Sequence, residues 1–103
     1  MAWHKACLLK DLPDASGREV LLGGRVIALF RVDEAVFAVD GMCAHQGGPI
    51  AQGQLSGHCV TCPWHGWQYD VRCGENLLTQ KKMLDTFATE LREGEVWVEV
   101  SSN

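Results

Sequence analysis

Two short segments of this chain demand to be brought together. Cys43 and His45 are separated by one residue in "MCAHQGG", and Cys62 and His65 by two in "TCPWHGW", with sixteen residues between the pairs. Half of the four histidines and two of the five cysteines are spent on these matching segments. Thiolate and imidazole are soft or borderline ligands, and two such pairs make four donors for one metal centre only if the fold sets the two segments face to face. Any architecture for the chain has to present two loops to one another from a rigid base.

The rest of the sequence supplies short strands for such a base. "REVLL" (18–22) and "RVIALFRV" (25–32) flank Gly23-Gly24, a two-residue hairpin signal, and Asp33-Glu34 then leads into "AVFAV" (35–39). Towards the C-terminus "LDTFATEL" (84–91) and "EVWVEV" (95–100) bracket "REGE", with Val96, Val98 and Val100 alternating against Trp97 and Glu99. No segment keeps apolar residues at helical spacing for two turns, although "NLLTQKKML" (76–84) has room for one turn of helix. The expectation is an all-β fold, a small antiparallel sandwich or barrel. Residues 41–57 carry five glycines and a proline and no strand pattern. "HCVTC" (58–62) and "WQYDV" (67–71) form a hairpin tipped by "PWHG". The predicted organisation is one domain, with a base of 1–40 and 75–103 and an inserted site-bearing subdomain of about 41–74.

Composition narrows the function classes. A chain of 103 residues is near the common domain size. Its formal charge of −4 and pI of about 5.4 argue against nucleic acid, which selects clustered Lys and Arg. No stretch approaches the roughly 20 apolar residues of a membrane-spanning helix. "MAWHKACLLKDLP" has no apolar export segment, and five cysteines cannot all pair. A reducing, cytoplasmic compartment is expected, where cysteines bind metals or lie buried more often than they form disulfides.

Two metal centres satisfy the donor pattern. A structural zinc site takes four such ligands, but its cysteines are usually paired with each other two to four residues apart. A 2Fe–2S cluster with two imidazoles on one iron takes one Cys and one His from each loop, which accounts for the composition of both pairs. "CAHQGGPIAQGQL" and "CPWHGWQYDVRCGE" resemble the two cluster-binding boxes of Rieske iron–sulfur proteins. The likeness is strong over the middle third and extends weakly across nearly the whole chain. It implies that Cys43 and Cys62 hold one iron through sulfur, and that His45 and His65 hold the outer iron with their free ring nitrogens toward solvent. The cofactor it implies is one Rieske-type 2Fe–2S cluster.

Departures from the family pattern refine the expectation. The quinol-oxidising branch carries two additional cysteines that bridge its loops; Gly48 and Trp64 occupy the matching positions here. That branch also has a serine two residues past the second histidine, where this chain has Trp67, whereas Tyr69 matches a tyrosine that bonds the first cysteine's sulfur. Loss of such donors lowers the potential, toward the lower part of the family's span of roughly −150 to +300 mV. Trp64 and Trp67 are read as a shield or apolar docking rim, or equally as core. "QKKM" (80–83) is a basic handle or a solvated turn.

The remaining residues offer no second chemistry. Only His4 and His58 stand outside the pairs, His4 at an N-terminus expected to fray, so a mononuclear iron on two His and a carboxylate has no motif. No glycine-rich strand-to-helix turn suggests a dinucleotide site. Cys59 and Cys62 face opposite ways if both lie on one strand, so the C-x-x-C they form is not read as a redox pair; Cys59 is read as a core or edge thiol, and Cys7 and Cys73 as inert. The resemblance therefore implies a non-enzymatic soluble ferredoxin that passes single electrons from a flavin-dependent reductase to a terminal oxygenase. The alternatives are the small subunit of an NAD(P)H-dependent nitrite reductase and a zinc-stabilised interaction module.

Overall fold

Tight turns shape the first sheet that forms along the chain. In the computed structural model, which describes residues 2–42, 48–64 and 66–100, Gly23 (φ 57°) and Gly24 (φ 82°) are both left-handed. That combination makes a two-residue turn whose twist matches its strands. It joins β2 (Ser16–Leu22) to β3 (Arg25–Val32), with Leu22 opposite Arg25 and Ser16 opposite Arg31. Asp33 (φ 56°) turns β3 into β4 (Ala35–Asp40), and its strained backbone is well supported. Its N–H donates to Asp14 Oδ1 at 2.7 Å, and its carbonyl accepts from Arg31 Nε at 2.8 Å.

Among the described residues three antiparallel sheets result, in agreement with the expected all-β class. β1 (Ala2–Leu8) pairs with β10 (Glu95–Val100), which pairs with β9 (Thr89–Arg92). The second sheet runs β2-β3-β4-β8, with β8 (Thr86–Phe87) short and at its edge. The third is β5 (Gln54–Ser56), β6 (Cys59–Thr61) and β7 (Gln68–Asp70).

The structure departs from the sequence expectations in four places. His4 is not frayed: it lies in β1 opposite Val98, where β10 supplies the pairing partner that local sequence cannot reveal. Residues 54–56 of the glycine-rich stretch form β5, because β6 offers them a template. The segment 84–91 is two strands rather than one: Thr86 and Phe87 pair with β4, then Thr89–Arg92 pairs with β10. Finally, 76–84 has no helix. Asn76 Oδ1 accepts from the N–H groups of Leu78 and Thr79 at 2.9 and 3.1 Å, and Gln80 (φ 59°) ends the turn. The Asn76 side chain caps one turn, closed by the Gln80 N–H donating to the Asn76 carbonyl at 2.7 Å, and the left-handed Gln80 stops it from continuing as a helix.

The core lies on both faces of the second sheet. Ile27 and Leu29 of β3 and Val36 and Ala38 of β4 join Val96, Val98 and Val100 of β10 on one side. Ala28, Phe30 and Val39 point the other way, to Ile50, Val60, Cys62, Tyr69, Val71 and Leu84. Successive residues of a strand face opposite sides, so β3 and β4 are covered twice. Each fully buried large side chain contributes about 1.5–3 kcal/mol.

Candidate metal centre

The two halves of the expected site fare differently. Cys43, His45 and His65 lie outside the described residues, whereas Cys62 is described and only 1% exposed. It follows β6, and its N–H donates to the Trp67 carbonyl at 2.7 Å, closing the ladder from which the loop projects. This is the expected hairpin, with β6 and β7 paired from Cys59–Asp70 to Thr61–Gln68. The Cys62 side chain belongs to the apolar cluster of Ile50, Val60 and the fully buried Tyr69.

The first loop springs from a pinned root. Gly41 donates its N–H to the Val26 carbonyl at 2.9 Å, its carbonyl accepts from Ile50 at 3.0 Å, and Met42 forms an isolated bridge with Pro49. Just before it, Asp40 ties three segments together. Its Oδ1 accepts from Arg25 at 2.7 Å and its Oδ2 from the Asp85 N–H at 2.8 Å, while its own N–H donates to the Asp85 carbonyl at 3.0 Å. The Arg25 guanidinium also lies 4.9 Å from the centre of the Phe87 ring. The described residues on either side of 43–47 are thus fixed by β3, β4 and the segment before β8.

The two roots meet at Gly48, which is buried. A Cβ built there would lie 3.0 Å from Cys62 Sγ and 3.0 Å from Trp64 Cγ. The sulfur is thus approached by bare backbone, and a thiolate buried among apolar side chains needs a metal or a donor to hold its charge. Both features fit a metal–sulfur group at Cys62. Among the described residues, no group of three or more His, Cys, Asp or Glu side chains forms another metal cluster.

The other candidates separate cleanly. His58 packs edge-on against Phe37, with ring centres 5.5 Å apart, and His4 lies beside the Gly23 turn on the first sheet. Burial pushes the Cys7 and Cys59 thiols up; Arg18 opposes the shift at Cys7 and Asp11 adds to it, and Asp70 adds to the shift at Cys59. Around the Cys62 loop the surface is apolar. Trp64 is 49% exposed and Leu78 92%, with Met42 and Leu77 also exposed. A cavity of about 410 Å³ lies between Gly66, Trp67 and Gln68 on one side and Asn76, Leu78 and Thr79 on the other.

Sequence reasoning missed the supports. Asn76, a buried polar residue that shapes the 77–80 turn, is detectable only as an Asn preceding a possible turn, and the Arg25–Asp40–Asp85 hub carries no local signal.

Comparison with known proteins places this geometry. The family model described as Rieske 2Fe-2S domain matches residues 2–88. Ferredoxin CarAc of Metapseudomonas resinovorans is 31% identical over 93% of the chain and 92% of its own length. Methylxanthine N1-demethylase NdmA of Pseudomonas putida is 30% identical over 98% of the chain, which spans only 32% of that longer protein. Among solved structures, a complex of reduced oxygenase and oxidized ferredoxin in carbazole 1,9a-dioxygenase superposes with a TM-score of 0.85 at 31% identity, covering 93% of this chain and 91% of that one. A nitrite reductase small subunit from Mycobacterium tuberculosis, titled putative and NADH-dependent, reaches 0.88 at 26% identity, with 97% and 96% coverage.

Proposed function

The chain belongs to the Rieske 2Fe–2S family, and from that premise we propose that it is a ferredoxin that carries single electrons to an oxygenase. The observation that carries the reading is the buried Cys62 sulfur, set against Gly48 at the β6–β7 turn of a chain that matches the family over residues 2–88. A Rieske-type 2Fe–2S cluster is the cofactor, and when bound it takes up and gives back one electron. In this reading Cys43 and Cys62 supply its thiolates, His45 and His65 its imidazoles, and residues 41–74 form the cluster-binding subdomain on a base of 1–40 and 75–103.

The protein's own residues do the rest. The apolar cluster under Cys62 keeps water from the sulfur side, and the Asp40 hub and the Gly48 contact hold the two loop roots. Exposed Trp64, Leu77 and Leu78 provide apolar surface for a partner to approach. The acceptor is an oxygenase component and the donor a flavin-dependent reductase. The setting is cytoplasmic. Among the described residues no helix is long and apolar enough to cross a membrane.

One observation favours a second reading. The likeness to the nitrite reductase small subunit is as good in shape as that to the ferredoxin in the oxygenase complex, so service in an NAD(P)H-dependent nitrite reductase is the alternative. Low-temperature EPR before and after dithionite, with iron and sulfide counted on the same sample, tests both readings against zinc. The expected result is a signal only on reduction, average g below the free-electron value, with two irons per chain. A colourless, EPR-silent protein holding one zinc would overturn the electron-transfer reading. Reconstitution with candidate oxygenase and nitrite reductase partners then separates the two acceptors.

A further inference from the structure

Gly48 is not among the glycines with a left-handed backbone, so the need for glycine there is one of space. Two side chains crowd that space. A Cβ on Gly48 would lie 3.0 Å from Cys62 Sγ, 3.0 Å from Trp64 Cγ and 3.1 Å from Trp64 Cδ2. The indole and the Cys62 sulfur thus both pack against the backbone of Gly48, the ring 49% exposed and Cys62 only 1% exposed. Gly48 is the first described residue after 43–47, and Trp64 follows Cys62 by two positions. The contact thus joins the end of one loop to the start of the other.

We infer that Trp64 is a positioning residue: its ring, packed on Gly48, is a noncovalent clasp that holds the two loop roots together and covers the Cys62 sulfur. The inference rests on the reading of Cys62 as a metal ligand, but the clasp itself is a property of the protein chain. Gly48 exposes backbone to the ring with no side chain between them, so the indole packs directly on the residue that the Cys62 sulfur also approaches. The β6–β7 ladder holds Cys62 through its N–H bond to Trp67, and the Met42–Pro49 bridge holds the other root, so each side of the clasp is anchored independently. Opening it needs only a rotation of the Trp64 side chain, and the sulfur then becomes accessible without unfolding of the core.

The test uses the full chain as isolated, in four forms: wild type, Trp64→Ala, Trp64→Phe and Gly48→Ala. Each is pulsed with iodoacetamide, and labelling is resolved by peptide mass spectrometry at Cys62 and at Cys7, a core cysteine distant in sequence that reports global opening. Trp64→Ala is expected to raise Cys62 labelling roughly tenfold, equivalent to about 1.4 kcal/mol, with Cys7 unchanged. Gly48→Ala is expected to do the same, because the exposed ring yields before the buried sulfur does. Trp64→Phe keeps a ring over Gly48 and is expected to stay within a factor of about three of wild type. Unchanged Cys62 labelling in Trp64→Ala overturns the clasp. So does a parallel rise at Cys7, which would make Trp64 a contributor to global stability only, and so does a Trp64→Phe variant as reactive as Trp64→Ala. Iron and sulfide are counted on all four forms, and labelling is compared at matched metal content because a coordinated thiolate is alkylated only once its metal has left; the wild-type counts judge the cluster reading separately.

Discussion

Gly74 and Gly94 form a matched pair that isolates a single steric contact. Their backbones are almost identical, with φ of 78° and 79°. Alanine at either position bears the left-handed penalty of about 1–2 kcal/mol, offset by about 0.4–1 kcal/mol from a less flexible unfolded chain. At Gly94, in the β9–β10 turn, a Cβ meets nothing within 4 Å, so Gly94→Ala is expected to cost about 1 kcal/mol. At Gly74 the same Cβ would lie 2.1 Å from the Leu84 carbonyl oxygen, a backbone atom that cannot rotate away. The Gly74 carbonyl accepts from both Met83 and Leu84, at 3.0 and 3.2 Å, and a shift of that segment strains both bonds, at about 1 kcal/mol each. Leu84 is buried in the apolar cluster that includes Cys62, and displacing it adds about 1–3 kcal/mol. The two variants are thus expected to differ by about 3–5 kcal/mol. At about 4–8 °C per kcal/mol the gap in Tm is at least ~12 °C. Far-UV circular dichroism melts at one scan rate and matched iron content measure it. Melting points within about 4 °C of each other, under 1 kcal/mol, would refute the packing argument.

Other consequences are equally direct. Cys62→Ser is expected to bring iron per chain close to zero, while Cys59→Ser and Cys73→Ser leave it at the wild-type value; colorimetric iron assays on parallel preparations decide this. The Arg72 guanidinium, bonded to both oxygens of Asp70 at 2.8 and 3.0 Å, holds that carboxyl below the usual range, with partial burial opposing it. Its stabilising contribution is therefore present above about pH 4 and is lost as pH falls through the lowered value. Asp70→Asn is expected to flatten the acid limb of a Tm-versus-pH curve between about pH 5 and 2, and an unchanged limb would contradict the assignment. Leu78→Ser removes only an exposed side chain, so Tm is expected to move by less than about 4 °C, whereas electron delivery to an oxygenase partner slows; stopped-flow reoxidation checks the second half.

What could be read in advance divides by the range of the interaction that specifies it. The β2–β3 hairpin was legible because Gly23 and Gly24 fix turn type and register within ten residues on either side. The two Cys/His pairs stand out in the sequence because donor identity and spacing are local, although Cys43, His45 and His65 lie outside the described residues. β1 was not: in Ala2–Leu8 only Cys7 is fully buried, so no alternation announces a strand, and its partner β10 lies some ninety residues away. Nor was the change of sheet at Ala88, because Thr86–Phe87 and Thr89–Arg92 both continue an extended pattern and differ only in which neighbour pairs with them. The same holds for the supports of the site. Arg25, Asp40 and Asp85 meet across fifteen to sixty residues of sequence, and nothing in any one of them marks the meeting.

The segment "RVIALFRV" shows how one strand can serve both the fold and the site. A strand covered on one face alternates apolar with polar residues, whereas an unbroken apolar run implies cover on both. Here Ile27 and Leu29 enter the cluster with β10, and Ala28 and Phe30 enter the cluster with Cys62, Tyr69 and Leu84. β4 repeats the division, Val36 and Ala38 on one side and Phe37 and Val39 on the other. The second sheet is thus a partition. Apolar packing that closes the base is on one side, and packing that carries the Cys62 loop is on the other. Interiors are close-packed and transmit strain through direct contact, so a cavity made at Val98 reaches the metal loops only through the backbone of β3 and β4. A cavity made at Val60 borders the cluster that holds Cys62 itself. Two substitutions of equal chemistry and equal burial therefore differ in what they perturb, global stability in the first case and metal retention as well in the second.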